Sequence, residues 1–372
     1  MSLKMLLTSD VHLGMKFSTH PKVQGELAEA RFITLSNLVQ KANKEHCDLF
    51  VVAGDLFERV NVAKRDILRA AQTLREFQGN LVAVLPGNHD FMSNGQNNLW
   101  TIFEESAENN VLVLKNKQVE PLQHYDLDVN LYPAPCDAKN SCKNSTDWIK
   151  NESKDEGVQF HIGVAHGSLE GFSPDFESNY FPMTQSELEA FNLDLWLLGH
   201  THIQYPKNPG PRDRIFYPAT PEPDGFDCNH EGKAWILKLD DEKNVEPVSI
   251  STGKYRFVHR ELTLLPDSNI ESLITNSLPL DRESTLLKLK LKGRIMEEEY
   301  EKLEQIRSNL EDSFFDIKMD YSDVARAITP DIIDREFTEG SFPHRLLTEL
   351  AYKEEDWEAL QVAYDMINGV KK

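Results

Sequence analysis

No run of apolar residues in this 372-residue chain approaches the roughly 20 that a bilayer-spanning helix needs, so no membrane span is expected. Low-complexity segments and obvious short internal repeats are also lacking, which leaves an ordinary globular composition. Cysteine is scarce. Cys47, Cys136, Cys142 and Cys228 form no Cys-x-x-Cys pair and no dense framework, and they read as reduced thiols of a cytosolic protein. Basic residues are in deficit, with 40 Lys and Arg against 61 Asp and Glu and a net charge of -21. Such a chain lacks the cationic surplus with which a stand-alone DNA-binding protein displaces counterions. Part of the acid lies in motifs whose charge cations would offset. Much of the rest lies in late helical stretches such as Glu297-Glu298-Glu299 and Glu354-Glu355-Asp356, which read as solvated faces. An enzyme with a phosphate-directed metal centre, or with a basic partner, remains compatible with this balance. Met1-Ser2-Leu3-Lys4 runs straight into Met5-Leu6-Leu7 and leaves no room for a signal peptide before Asp10, in keeping with a cytoplasmic location.

What the chain does contain is a series of short runs rich in metal-liking side chains. They are Asp10-Val11-His12, Gly54-Asp55, Gly87-Asn88-His89-Asp90, His166-Gly167 and Gly199-His200-Thr201-His202. Together they offer carboxylate, amide oxygen and imidazole. That mixture suits a pair of divalent cations better than one structural zinc, which takes four ligands rich in Cys or His. Two neighbouring cations suit phosphate-ester hydrolysis.

The surrounding pattern places these runs at strand ends. Leu3 to Thr8, Leu49 to Ala53, Leu81 to Leu85, Phe160 to Ala165 and Leu193 to Leu198 are apolar runs read as strands, each ending at a motif. Glu26 to His46, Ala63 to Phe77 and Asn98 to Ala107 read as helices between them. Strands alternating with helices imply an α/β layered fold covered on both faces, with the active site beyond the strand carboxyl ends. Four later runs, Ile215 to Tyr217, Ala234 to Leu239, Val245 to Ile250 and Arg256 to Leu264, read as strands completing a second sheet of a sandwich. Pro133 to Cys142 and Tyr217 to Gly232 read as loops near the site. From about Leu265, alternating helices and strands suggest a small α+β unit. Phe342 to Val370 carries two amphipathic stretches with Leu346, Leu347, Leu350, Trp357, Leu360, Tyr364 and Met366, suited either to a partner or to the chain's own body.

The ordered set Ser9-Asp10-Val11-His12-Leu13-Gly14, Gly54-Asp55-Leu56-Phe57, Pro86-Gly87-Asn88-His89-Asp90, Ala165-His166-Gly167 and Leu198-Gly199-His200-Thr201-His202 resembles the calcineurin-type metallophosphoesterases. Within that superfamily, Asp-Val-His-Leu-Gly and Gly-Asp-Leu-Phe resemble the SbcD and YhaO class of bacterial DNA repair exonucleases. The resemblance implies a four-layer αββα sandwich over residues 1–255, a small α+β capping domain over 256–335 and a helical tail over 336–372. It implies that Asp10, His12 and His202 bind one divalent cation, that Asn88, His166 and His200 bind a second, and that Asp55 bridges them. The family usually works with Mn²⁺. His89 is implied to face the substrate and protonate the leaving oxygen. Glu58 stands where related phosphoesterases carry an acid paired with that histidine, and some nuclease relatives have a histidine there. Glu58 is therefore expected to hold His89. Asp90 is expected to be a structural hydrogen-bonder, and His20, His46, His124, His161, His230, His259 and His344 to be surface or core residues.

The implied activity is a Mn²⁺-dependent DNA exonuclease and phosphodiesterase in double-strand-break repair. Its partners would be DNA ends, a long coiled-coil ATPase resembling SbcC or its YhaN-like counterpart, and a second copy of the chain. A phosphodiesterase for small nucleotides is the alternative, and a scaffold with a vestigial metal site a third reading.

Overall fold

The computed structural model describes residues 2–92, 98–107, 110–175, 178–266, 269–352 and 357–370. The chain divides into two compact units, Met1–Arg256 and Phe257–Lys372. Glu354-Glu355-Asp356 and the Trp357 side chain, named above, lie outside the described residues.

In the first unit, strands β1 (Leu3–Thr8), β2 (Leu49–Ala53), β3 (Leu81–Leu85) and β4 (Val111–Val113) alternate with helices α1 (Gln24–Lys44), α2 (Lys64–Arg75) and α3 (Leu99–Ser106). Strands β5 (Glu120–Pro121), β6 (Val129–Ala134), β7 (Phe160–His166), β8 (Leu195–Gly199) and β9 (Ile215–Phe216) follow, with α4 (Gln185–Ala190) before β8. Strands β10 (Lys233–Leu239) and β11 (Val245–Ser251) complete the unit. They form one sheet of order β11-β10-β1-β2-β3-β4 and another of order β5-β6-β7-β8-β9. Strands β1 to β4 run parallel, as do β6 to β9.

Strand alternation explains the layering. In β2, Leu49, Val51 and Ala53 meet Ile162, Val164 and Leu197 of the other sheet. Phe50 and Val52 point the other way, into Leu35, Leu38 and Val39 of α1 and Ala70, Ala71 and Leu74 of α2. Strands buried on both faces read as continuous apolar runs, which is why these were visible in the sequence. The outer face of the second sheet packs Ala165, Trp196 and Leu198 against Leu188 of α4 and Met183. The result is the expected αββα stack.

Two details differ from the sequence reading. Strands β10 and β11 do not join the second sheet: β10 extends the first antiparallel to β1, β11 pairs antiparallel with β10, the run Arg256–Leu264 lies in a separate three-stranded sheet, and only β9 joins the second. Strand spacing says that a hairpin exists but not which edge it covers. Strand β6 was not read at all, and its last residues, Pro133 and Ala134, were assigned to a loop. Asn130 and Pro133 interrupt its apolar pattern. β5 pairs only with Asn130 and Leu131, so Pro133 lies beyond that partner, where its missing N–H costs the sheet nothing on that side.

The second unit holds the residues read as capping domain and as tail. Strands β12 (Arg256–Leu264), β13 (Thr285–Ile295) and β14 (Asp316–Arg326) form a sheet in that order, with α5 (Ile270–Ser277) and α6 (Glu297–Glu311) between them in sequence. Leu287, Leu289 and Leu291 pack with Ile274, Leu303 and Leu310. Helices α7 (Pro330–Glu336), α8 (Phe342–Ala351) and α9 (Trp357–Val370) share a small core of Ile333, Phe337, Leu347 and Leu360. No helix among the described residues is long and apolar enough to cross a membrane.

Gly163 in β7 has no room for a side chain, because a methyl there would lie 2.3 Å from the buried Trp196 ring. Gly163→Ala is expected to cost about 1–3 kcal/mol through overpacking, read as a lower denaturation midpoint in a urea titration.

Candidate metal centre

The motif residues gather beyond the carboxyl ends of β1, β2 and β3 in one sheet and β7 and β8 in the other. The loops are tied to each other by backbone bonds. Asp10 N–H donates to Gly54 O and His12 N–H to Asp55 O, each at 3.0 Å. Asp10, His12, Asp55 and His200 all adopt left-handed backbone, with φ of 54°, 49°, 53° and 99°. Such conformations are costly for non-glycine residues and persist where the surroundings hold them, commonly at functional sites. Two glycines clear the space. A methyl on Gly54 would lie 2.0 Å from His166 Nδ1, and one on Gly87 would lie 2.2 Å from Asp55 Oδ1.

Each carboxylate commits one oxygen to the protein. Asp10 Oδ2 accepts from Ser9 Oγ at 2.5 Å and from His200 N–H at 3.1 Å. Its Oδ1 is buried and makes no hydrogen bond among the described residues. Asp55 Oδ1 accepts from His89 N–H at 2.8 Å. Its Oδ2 stands 3.8 Å from His12 Nε2 and 3.3 Å from His166 Nε2.

The imidazoles are oriented from behind. His166 Nδ1–H donates to Ala53 O at 2.9 Å, which leaves Nε2 as its ligand atom. His202 Nδ1 is 3.0 Å from Asp224 Oδ2, and its Nε2 is 3.5 Å from Asp10 Oδ1 and 3.4 Å from His12 Nε2. Asn88 donates through Nδ2 to Lys139 O at 3.3 Å, turning its Oδ1 to His166 Nε2 at 2.9 Å and His200 Nδ1 at 3.2 Å.

All seven expected ligands therefore converge. Asp10, His12 and His202 make one group, Asn88, His166 and His200 another, and Asp55 Oδ2 reaches from one to the other. Ligand atoms about 2.1 Å from a shared ion sit on the order of 3.0–3.4 Å from each other, so this spacing and the orphaned Asp10 oxygen fit divalent cations. Burial opposes charge on Asp10, yet the neighbouring His202 imidazole holds its pKa at about 2. Burial likewise opposes charge on Asp55, and His166 holds it far below the usual carboxylate range. His166 is pushed down by burial and up, to about 9, by Asp55, so a cation binding its Nε2 must displace a proton.

His89 lines a cleft of about 400 Å³ together with Asn88, Tyr180, His200, His202 and Asp224. It also borders the cluster, since one of its ring nitrogens lies within 4.8 Å of ligand atoms of His12 and Asp55. The expectation for Glu58 needs correction. Its backbone carbonyl, not its carboxylate, meets His89 Nδ1 at 3.0 Å, while its carboxylate Oε2 lies 3.1 Å from His12 Nδ1. The acid follows the motif by three residues, and only the turn of that loop decides which histidine it reaches. Asp90 is a structural hydrogen-bonder: its carboxylate accepts from Gly87 N–H at 2.7 Å and Phe57 N–H at 2.9 Å.

Two residues near the centre were missed: Asp224 backs His202, and Arg31 on α1 faces Asp224. His230, read as a surface or core residue, donates from Nε2 to His202 O at 2.9 Å. Asp224 lies in the segment 217–232 that was read as a loop near the site, but nothing in its local sequence distinguishes it from turn chemistry.

A family model for calcineurin-like phosphoesterases matches residues 3–204, and the chain belongs to that family. The converging carboxylate, amide and imidazole donors described above fit a centre of the metallophosphoesterase kind. The chain is 28% identical over 210 residues to the uncharacterized metallophosphoesterase YhaO of Bacillus subtilis (strain 168), a match covering 54% of this chain and 48% of that protein. The chain thus spans about half the length of that curated relative. Among solved structures, TT1561 of Thermus thermophilus is similar with a TM-score of 0.38 and 13% identity, over 67% of this chain and 99% of that one. YfkN of Bacillus subtilis is similar with a TM-score of 0.38 and 14% identity, over 68% and 91%.

Because the Glu58 carboxylate stands behind His12, Glu58→Gln is expected to weaken divalent-cation affinity about 10- to 100-fold. Calorimetric titration with Mn²⁺ measures this directly, and unchanged affinity with a slowed chemical step would return Glu58 to the leaving-group side.

Proposed function

We propose that this protein is a Mn²⁺-dependent DNA exonuclease and phosphodiesterase acting on DNA ends in double-strand-break repair. The observation that carries the reading is the placement of Asp55 Oδ2 between two ligand groups, 3.8 Å from His12 Nε2 and 3.3 Å from His166 Nε2. Asp10, His12 and His202 would hold one cation and Asn88, His166 and His200 the other, with Asp55 shared between them. Such cations, when bound, supply a nucleophilic hydroxide and clamp phosphoryl oxygens. The chain's own residues do the rest. Asn88 coordinates without adding charge. Ala53 O and the carboxylates of Glu58 and Asp224 hold three imidazoles with Nε2 turned inward. The Glu58 carbonyl accepts from Nδ1–H of His89, so a doubly protonated His89 would carry its second proton on Nε2 and could donate it to the leaving oxygen.

Two features favour a polymer. Asp-Val-His-Leu-Gly and Gly-Asp-Leu-Phe resemble motifs of the DNA exonuclease class. A groove of about 1010 Å³ opens beside the loops that follow the β1 and β2 motifs; its Arg69 and Arg65 face its own Glu29 and Asp66, and Lys16 and Arg59 are its further cations. In a chain of net charge -21, Lys16 and Arg59 offer cationic contacts suited to backbone phosphates. The smaller cleft of about 400 Å³, with Tyr180 beside His200, would also admit a single nucleotide, which keeps the small-nucleotide reading alive.

The second unit is assigned to orienting DNA and binding partners. Phe342 of α8 and Val362 and Met366 of α9 are exposed, and they suit docking on a coiled-coil ATPase. A homodimer and a cytoplasmic location complete the proposal, the latter supported by four free cysteines.

End-labelled duplex and single-stranded DNA should be degraded with Mn²⁺ and poorly with Mg²⁺. Hydrolysis of an aryl phosphodiester without any degradation of DNA ends would overturn the DNA reading in favour of the small-nucleotide one. Lys16→Ala with Arg59→Ala should raise KM for duplex DNA several-fold and flatten its salt dependence, with a smaller effect on the aryl diester. His89→Ala should abolish turnover with metal content retained; loss of both metals would contradict its role as proton donor.

A further inference from the structure

Arg31 sits on the buried face of α1 with its side chain 0% exposed. Nη1 donates to Val11 O at 2.6 Å, and Val11 lies between the ligands Asp10 and His12. Nη2 stands 3.9 Å from Asp224 Oδ2, the same oxygen that lies 3.0 Å from His202 Nδ1. Nε and Nη2 make no hydrogen bond among the described residues, and the Phe17 ring covers the guanidinium with its centroid 5.5 Å away.

A guanidinium is an expensive way to fill a helix–loop contact, because burying a charge is unfavourable unless it is compensated. Here Asp224, Glu222 and Glu58 supply the compensating charge. Glu222 is itself engaged, accepting from Thr34 Oγ1 at 2.6 Å and from the backbone N–H groups of Lys254 and Tyr255. An apolar side chain would pack against α1 without the desolvation cost. It could neither grip the Val11 carbonyl nor face an acid that holds a ligand imidazole.

We infer that Arg31 and Asp224 form a positioning pair for one cation subsite only, that of Asp10, His12 and His202. Through the Val11 carbonyl, Arg31 sets the loop that carries Asp10 and His12. Through Asp224, it sets the ring of His202. Three ligands drawn from two distant segments are thereby referred to one helix. The other subsite has separate supports: Ala53 O behind His166 and Lys139 O behind Asn88. The two halves of the centre thus have different rear supports, so a change at Asp224 acts first on the His202 side, although His200 N–H on Asp10 Oδ2 links the two. The inference rests on the two-cation reading above.

The test is Mn²⁺ binding to the full chain, followed by calorimetry and by paramagnetic resonance of the bound ion, independently of turnover. Wild type should bind two ions. In Asp224→Asn, one ion should bind with unchanged affinity and the other about 10- to 100-fold more weakly, because an amide cannot stabilise the oriented imidazole as a carboxylate does. Asp224→Glu should recover part of the loss. Arg31→Lys keeps the charge and loses the fork, and should weaken the same ion; combined with Asp224→Asn it should add less than its separate effect. Equal weakening of both ions, or no weakening of either, in Asp224→Asn would overturn the inference while leaving the two-cation reading intact. Fewer than two ions in wild type would overturn that reading first, and the inference with it.

Discussion

Two carboxylates buried side by side are the constraint on which the rest of this molecule turns. Asp10 and Asp55 are 0% and 1% exposed, in a region where an unpaired charge is strongly unfavourable. The protein satisfies half of each. Ser9 Oγ and His200 N–H donate to one oxygen of Asp10 and His89 N–H to one oxygen of Asp55, and the other oxygen of each turns toward a ring of imidazoles. Nitrogen and oxygen donors so placed, with Asn88 adding an uncharged oxygen, describe a container for divalent charge. The histidines, their rear supports and the buried Arg31 are arranged around that electrostatic requirement.

The αββα stack makes the arrangement reachable. Parallel strands in two facing sheets deliver five chain segments to one place, since each strand carries its motif just past its carboxyl end. The sheets themselves are held by apolar side chains alternating between the inter-sheet core and the helical layers, so the scaffold owes little to the site's polar chemistry. The site's cost is confined to its loops. Four left-handed residues and the closely approached Gly54 and Gly87 lie there, where the chain must turn sharply enough to aim side chains inward.

Much of this was legible because each ligand belongs to a short motif adjoining an apolar strand. Asp10 and His12 follow Leu3–Thr8, and His200 and His202 follow Leu195–Gly199, so chemistry and topology could be read from the same few residues. Glu58 shows where that kind of reading stops. Its position beside Asp55 was visible, but its backbone and carboxylate meet two different histidines, His89 and His12. Asp224 and Arg31 were invisible for a related reason. They lie 193 residues apart in sequence (224 minus 31), and their importance comes only from standing within 3.9 Å of each other beside His202. The edge taken by β10 and β11 was hidden in the same way, because a strand pattern does not name its neighbour.

By itself the sequence determined the family, the candidate ligand types, the strand ends that carry them and the layered α/β architecture. These are local properties: periodicity, residue type and order along the chain. Tertiary structure alone decided which oxygen of Asp55 faces the imidazoles, which histidine the Glu58 carboxylate reaches, and which buried cation stands behind Asp224. Those are distances between segments far apart in the chain. They depend on how two sheets pack and how loops turn, and no pattern along a single segment encodes them.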